Sequence, residues 1–192
     1  MAPELARDLR AGPVTPPPAQ PLDVAHIYEA HFDFVWRSLR RLGVPSSALE
    51  DALQDVFIVV QRRLVDFEGR SSLSTWLFGI VLRVATEYRR RNARRNHEIS
   101  TDDAVLIGTS RDPYDAARET EAARLVQEVL DAMADERKVV FVMIELEDLA
   151  PLEVAEQLGI GVNTVYSRLR LARRDFEAHV KRVRARELWR LP

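Results

Sequence analysis

The 192-residue chain contains no cysteine, which excludes disulfides, thiol nucleophiles and thiolate metal sites and suits a reducing compartment. Its four histidines, His26, His31, His97 and His179, have no metal-ligand spacing, and no Gly-rich phosphate loop occurs. Asp102 and Asp103 sit in a stretch without periodicity. An enzyme is therefore a poor reading, with no cofactor, no metal and no small-molecule substrate expected. No apolar run approaches the ~20 residues that span a bilayer, and the N-terminus lacks the hydrophobic core of a signal peptide. A cytoplasmic protein without membrane insertion is expected. What is present is 46% hydrophobic and 30% charged residues, enough for a soluble globular chain of one large or two small domains. The net charge of -2 is an average over strongly clustered arginines, and the clusters decide what the chain can bind.

Residues 1–22 hold Pro13, Pro16, Pro17, Pro18 and Pro21 among small and polar residues, a composition too poor in apolar surface to offset its ordering entropy. They read as a disordered leader. From Val24 the spacing of Ile27, Tyr28, Phe32, Val35, Leu39 and Leu42 predicts a helix that Gly43 and Pro45 end. Ser46 or Ser47 is then expected to cap a second helix, roughly Leu49 to Asp66, with Leu49, Ala52, Leu53, Val56, Phe57, Val60 and Leu64 on its core face. Asp51, Gln54 and Asp55 lie with Ile58 and Val59 on the opposite face, their charge not needed by the fold. Acids beside apolar groups on an outer face fit a docking surface for another protein; a helix buried on two sides of its own domain fits the pattern equally well.

The segment Phe67 to Trp76 has Gly69 and several serines and reads as a loop leading into a helix striped by Leu73, Trp76, Leu77, Ile80, Val81, Val84 and Tyr88. That helix runs into Arg89, Arg90, Arg91, Arg94 and Arg95, five arginines in seven positions. So dense a cluster exceeds what solubility asks for and suits phosphates. From Asn96 to about Arg118 the periodicity fades into an acidic linker.

Beyond the linker, Ala122, Leu125, Val129 and Met133 mark another helix. Val139 to Ile144 has the propensity of a buried strand, but Asp135 as a cap, Glu136 and Arg137 in a first turn and the stripe Val139, Met143, Leu146 favour a helix. Pro151 to Asp175 then reads as two short helices joined by a tight turn. Val154, Ala155 and Leu158 share a face; Gly159 permits the helix end; Ile160 plugs the turn; Asn163 is a good N-cap; and Val165, Leu169, Ala172 and Phe176 recur on one side of the second helix. Thr164, Tyr166, Ser167, Arg170 and Arg174 project from its other side, the donors of a helix set in a major groove. The expected fold is all-α, two small helical domains joined by a flexible linker, the second containing a helix-turn-helix. One function open on the residues alone is a free-standing helix-turn-helix regulator whose first domain senses a ligand or dimerises.

With these residues in view, positions 24–180 resemble the compact extracytoplasmic-function class of bacterial RNA polymerase sigma factors. The resemblance implies a region 2 domain at 23–95, the linker at 96–118, a region 4 domain at 119–183 and a basic tail at 184–192. EDALQDVF, Glu50 to Phe57, is similar to the motif that docks on the β′ clamp helices of core RNA polymerase, which assigns Asp51, Gln54, Asp55, Phe57 and Ile58 to polymerase binding. FEGRSSLSTWLFGI, Phe67 to Ile80, is similar to the segment that melts promoter DNA at the -10 element and captures an unstacked base. Together with VLRVATEYRRR it assigns Phe67, Arg70, Ser71, Ser72, Ser74, Thr75, Arg83, Arg90 and Arg91 to that element. The hydroxyls and the aromatic ring of this set are the group types such a capture needs. The helix-turn-helix assigns Asn163, Thr164, Tyr166, Ser167, Arg168, Arg170, Leu171 and Arg174 to the -35 element. An anti-sigma factor is the further partner implied. The chain departs from the family at Gly79, where an arginine is frequent, at Arg83, where asparagine is frequent, and at Leu171, where a basic residue is frequent. Promoter sequence is therefore not transferable from the family. Leu171 has the chemistry to touch a thymine methyl.

Overall fold

The computed structural model describes residues 23–99 and 121–188, and the structural statements below concern these. The leader, most of the linker and Trp189 of the tail lie outside them. Among the described residues every regular element is helical.

The first three helices are α1 (Val24–Arg41), α2 (Leu49–Arg63) and α3 (Leu73–Ile99). They pack on one another through the stripes that their periodicity marks: Val35 and Leu39 of α1, Val56 and Val60 of α2, and Leu77 and Val81 of α3 are all fully buried, joined by Phe78, which the stripe left out. Truncating such a side chain, Leu39 for example, removes its transfer energy and leaves a cavity, together about 2–5 kcal/mol. Gly43, at φ 85, turns the chain sharply after α1, a conformation that side-chain-bearing residues avoid. Two boundaries differ from expectation. Ser46–Ala48 form a 3-10 turn, and neither serine caps α2 with its side chain. α3 does not stop at the arginines but continues through Asn96 to Ile99, because arginine is a good helix former and a polar helix end needs no apolar stripe.

The second group is α4 (Glu121–Asp131), α5 (Asp135–Phe141), α6 (Pro151–Leu158) and α7 (Val162–Leu188). α5 continues into a π-helical stretch, Val142–Leu146, so the ambiguous apolar run is helical and its last turn is wide. The Glu147 N–H donates to Val142 O at 3.0 Å, and the Leu149 N–H to Met143 O at 2.9 Å, with Asp148 at φ 53 between them. Asp135 is the first helical residue of α5 and not its cap, which is Ala134.

α6 starts on Pro151, whose fixed φ suits a first turn. It ends on Gly159 at φ 64, with the Ile160 N–H on Ala155 O and the Gly159 N–H on Glu156 O, so the last carbonyls are satisfied by the turn itself. Gly161 O accepts the Thr164 and Val165 N–H groups, which makes Gly161 the start of α7 and places Asn163 inside its first turn. Val165, Leu169 and Ala172 are buried against the other helices of this group. The two groups are not independent bodies, because the first turn of α3 lies along α6.

Candidate nucleic-acid interfaces and the contact between the domains

The loop before α3 ends on Ser72, whose Oγ accepts the Thr75 N–H at 3.2 Å and so caps the helix. Phe67 tilts onto Trp76 with ring centroids 5.2 Å apart, so one of its faces is covered. Arg70 is exposed and pairs with Glu68 at 3.1 Å. The Ser71 hydroxyl turns back to Ser72 O, and Ser74 is half-buried. Thr75 is only 1% exposed, and its hydroxyl donates to a carboxylate of the other group of helices, Glu153. That carboxylate also accepts the Ser72 N–H at 3.1 Å and the Ser72 hydroxyl at 2.8 Å. The hydrogen bonds from Thr75 and Ser72 hold Glu153 below its usual carboxylate pKa.

The remaining -10 candidates lie farther along α3. Arg83 and Arg90 are exposed; Arg91 pairs with Glu87 at 3.0 Å and sits 5.4 Å over the Tyr88 ring. At the α-helical rise, Ser72 and Arg90 are about 27 Å apart. They therefore form two patches along one helix and not a single pocket. That reach corresponds to roughly eight nucleotides of one strand. Arg89 of the same cluster is turned to the second group of helices, where it donates to Asp135. Burial tends to raise Asp135, but the hydrogen bond and charge of Arg89, helped by Lys138, hold it low.

On α7, Asn163, Thr164, Tyr166, Ser167, Arg170 and Arg174 are exposed together on the face away from Val165 and Leu169. The Ser167 hydroxyl caps back onto Thr164 O, and Leu171 is half-buried. Arg168 stands apart from this set: it is half-buried and pairs with Glu136 at 3.1 Å. Arg137 to Asp175 at 2.7 Å and Arg173 to Glu145 at 2.6 Å complete a ladder that splints α7 to α5 and the π-helical stretch.

On the outer face of α2, Asp51, Gln54 and Ile58 are exposed. Two members of that candidate set sit differently. Phe57 is only 8% exposed, its ring 4.6 Å from Tyr28, because it shares the apolar stripe. Asp55 is half-buried and accepts the Tyr88 hydroxyl at 2.8 Å, so its charge is used by the fold, contrary to expectation. Tyr88 is pushed up to about 12 by burial first and then by that hydrogen bond and the charge of Asp55.

Sequence reasoning missed the acids that join the two groups. Besides Glu153 and Asp135 there is Glu147, whose side chain is 3% exposed and which accepts Arg41 at 2.5 Å and the Ser38 hydroxyl at 3.2 Å, with Arg37 at 3.9 Å. Burial pushes Glu147 up, against the pull of Arg41. These partners lie 46 to 109 positions apart in the chain, beyond any local pattern. Gly79 faces the same seam, where an added Cβ would meet the side chain of Gln157 on α6. Among the described residues there is no cluster of three or more metal-ligating side chains, and no helix is long and apolar enough to cross a membrane.

Comparison with known proteins agrees with this arrangement. Residues 27–95 match the family described as Sigma-70 region 2, and residues 123–176 that described as Sigma-70, region 4. The chain is 30% identical over 146 residues to the ECF RNA polymerase sigma-E factor of Haemophilus influenzae, covering 72% of this chain and 77% of the relative. It is 24% identical over 165 residues to RNA polymerase sigma factor YlaC of Bacillus subtilis, covering 85% and 95%. Among solved structures it is similar to CnrH in complex with the cytosolic domain of CnrY, with a TM-score of 0.59 at 23% identity over 82% of this chain and 87% of that one. It is also similar to the sigma factor RpoE in complex with the anti-sigma factor NepR from Bartonella quintana, at 0.58 and 20%, over 80% and 96%.

Proposed function

Since the chain belongs to the extracytoplasmic-function class of the sigma-70 family, we propose that its two groups of helices divide promoter recognition between them. The protein is a sigma factor: it binds core RNA polymerase and directs transcription initiation at its own set of promoters. Region 2, residues 23–95, docks on the β′ clamp helices through Asp51, Gln54 and Ile58, which are exposed on α2. Phe57 and Asp55 act behind that surface by fixing its shape. The loop from Phe67 to Thr75 takes the melted -10 strand, and Arg83, Arg90 and Arg91 hold phosphates along α3. Region 4, residues 119–183, reads the -35 element with Asn163, Thr164, Tyr166, Ser167, Arg170, Leu171 and Arg174, while Arg168 sets the pitch of α7 through Glu136. An anti-sigma factor, the kind of partner seen with a solved relative, controls its availability.

The observation that carries this reading is the exposed polar face of α7, directly opposite its buried stripe and delivered by a closed Gly159 turn. Transcription from a promoter library with reconstituted polymerase is the test. Transcripts whose start sites share a common pair of upstream elements, absent without the protein, are expected. Tight, sequence-specific binding to duplex DNA without polymerase, and no stimulated transcript, would instead establish a free-standing regulator.

A further inference from the structure

We infer that the C-terminal part of α7 carries a phosphate-binding site of its own, Lys181 and Arg182, for the DNA that flanks the -35 element. This rests on the reading of α7 as the helix set in the major groove of that element. The region 4 match ends at residue 176, but α7 runs on unbroken to Leu188. The added length belongs to the body of the domain. Phe176 stacks on Phe141 of α5 with ring centroids 5.3 Å apart, and the half-buried Val180 and Val183 carry the stripe of Val165, Leu169 and Ala172 onward at helical spacing. With that side packed, the direction of the opposite side is fixed beyond residue 176 as well. Lys181 stands eleven positions after Arg170, about three turns, and so returns to the exposed face that holds Arg170. Arg182 stands eighteen positions after Thr164, about five turns, and returns to the edge of that face. Both side chains are exposed.

Charge pairing sorts the cations of α7 by direction. Arg168 is taken by Glu136 and Arg173 by Glu145, both acids from α5 and its π-helical continuation. Among the described residues Arg170, Arg174, Lys181 and Arg182 enter no ion pair, although Glu177 precedes Lys181 at the four-residue spacing that favours one. Glu177 lies between Arg174 and Lys181 on the exposed side, so the cations before and after it form two separate contacts and not one continuous strip. At the α-helical rise Lys181 is about 17 Å beyond Arg170, whereas the major groove is about 12 Å wide. When Arg170 is at a base edge, Lys181 and Arg182 have therefore passed out of the groove, and what the duplex offers them there is phosphate. Such contacts add affinity without sequence information. The site strengthens the hold of region 4 on the promoter and leaves the choice of promoter to the face from Thr164 to Arg174.

Phosphate ethylation interference on a promoter fragment, read with the full chain bound to core polymerase, is the test. In the parent, ethylation is expected to interfere inside the -35 element and at a further group of phosphates outside it on one flank. Lys181→Ala combined with Arg182→Ala should abolish the outer interference and keep the inner. The same double variant should lower promoter affinity about fivefold or more and reduce the salt dependence by about two units of slope, with base preference and helical content those of the parent. Lys181→Arg combined with Arg182→Lys, which keeps both charges, should restore the outer interference and the slope. Absence of interference outside the element in the parent, or outer interference unchanged in the double alanine variant, overturns the site. Affinity lost with the slope unaltered overturns it too and assigns the two residues to the fold. Failure of the groove reading shows elsewhere: Arg170→Ala would then leave discrimination among -35 variants intact, and phosphates inside the element would not interfere.

Discussion

The Tyr88 hydroxyl of α3 donates to the Asp55 carboxylate of α2 at 2.8 Å, tying the helix of the proposed polymerase-docking face to the helix that carries the arginines. Replacing Asp55 by arginine removes the acceptor and leaves the phenol without its partner. A hydrogen bond to a charged group contributes about 1.5–3 kcal/mol, so Asp55→Arg should lower the unfolding free energy of the chain by that order. Calorimetry that finds no change would remove the bond from the account of region 2.

Asp51→Arg is the cleaner probe of docking. Asp51 is exposed, and surface substitutions of this kind stay within about 0.5 kcal/mol of the parent in stability. Thermal unfolding should barely move while affinity for core polymerase falls by at least tenfold. Wild-type affinity in a folded Asp51→Arg protein would dismiss the outer face of α2 as the docking surface.

The same Tyr88 predicts an alkaline signature. Its pKa is raised to about 12 in the folded chain, chiefly by burial, so the folded state favours the neutral phenol. The stabilisation is whole below the usual phenol value of about 10 and is lost as pH rises through about 12. In an ultraviolet titration, one of the four tyrosines should ionise late, and Tyr88→Phe should remove that late step. Four coincident ionisations near 10 would refute it.

Arg170 and Arg168 are two positions apart on α7 yet should behave differently. Arg170 is exposed on the polar face, and Arg170→Ala is expected to cost about 1–3 kcal/mol at the promoter and relax base preference. Arg168 is held by Glu136, so Arg168→Ala should leave base preference alone and shift stability by no more than about 1 kcal/mol. Competition binding across -35 variants separates the two; equal loss of discrimination in both would contradict the assignment.

Arg90→Ala should weaken DNA engagement for all sequences alike, with the salt dependence of binding reduced by about one unit of slope. A phosphate contact carries no sequence information. An unaltered slope would make Arg90 a solvated surface residue.

Local features were legible because local chemistry decides them. Gly159 announced the end of α6, and the spacing of Val165, Leu169 and Ala172 announced the buried side of α7. The face opposite that stripe followed by geometry, so the exposed set from Thr164 to Arg174 was found without contacts. Reading failed where a residue's role depends on a partner far along the chain. Asp55 was grouped with the outer face of α2, but it answers Tyr88, whereas Phe57 is buried on the stripe that its spacing marked and packs on Tyr28. Asn163 looked like a cap because its side chain suits one, whereas the Gly161 carbonyl already accepts the first N–H groups of α7. Glu147 and Glu153 carried no signal at all, since a carboxylate on a helix or just past its end is ordinarily solvated.

The contacts of Glu147 and Glu153 also decide what kind of stimulus can part the two regions. Burial raises Glu147, so its share of closure grows as pH falls and is lost as pH rises through its raised value. Glu153, held low by Thr75 and Ser72, and Asp135, held low by Arg89, act in the opposite sense. Their shares are whole above the usual carboxylate values of about 4 and are lost as pH falls through the lowered ones. Closing thus takes up a proton at one end of the seam and gives protons back at the other, and acidification works against itself. A seam so opposed has no single response to acid. Because its contacts join acids of one group to bases and hydroxyls of the other, ionic strength and competing charge, and not pH alone, set how firmly the two groups hold together.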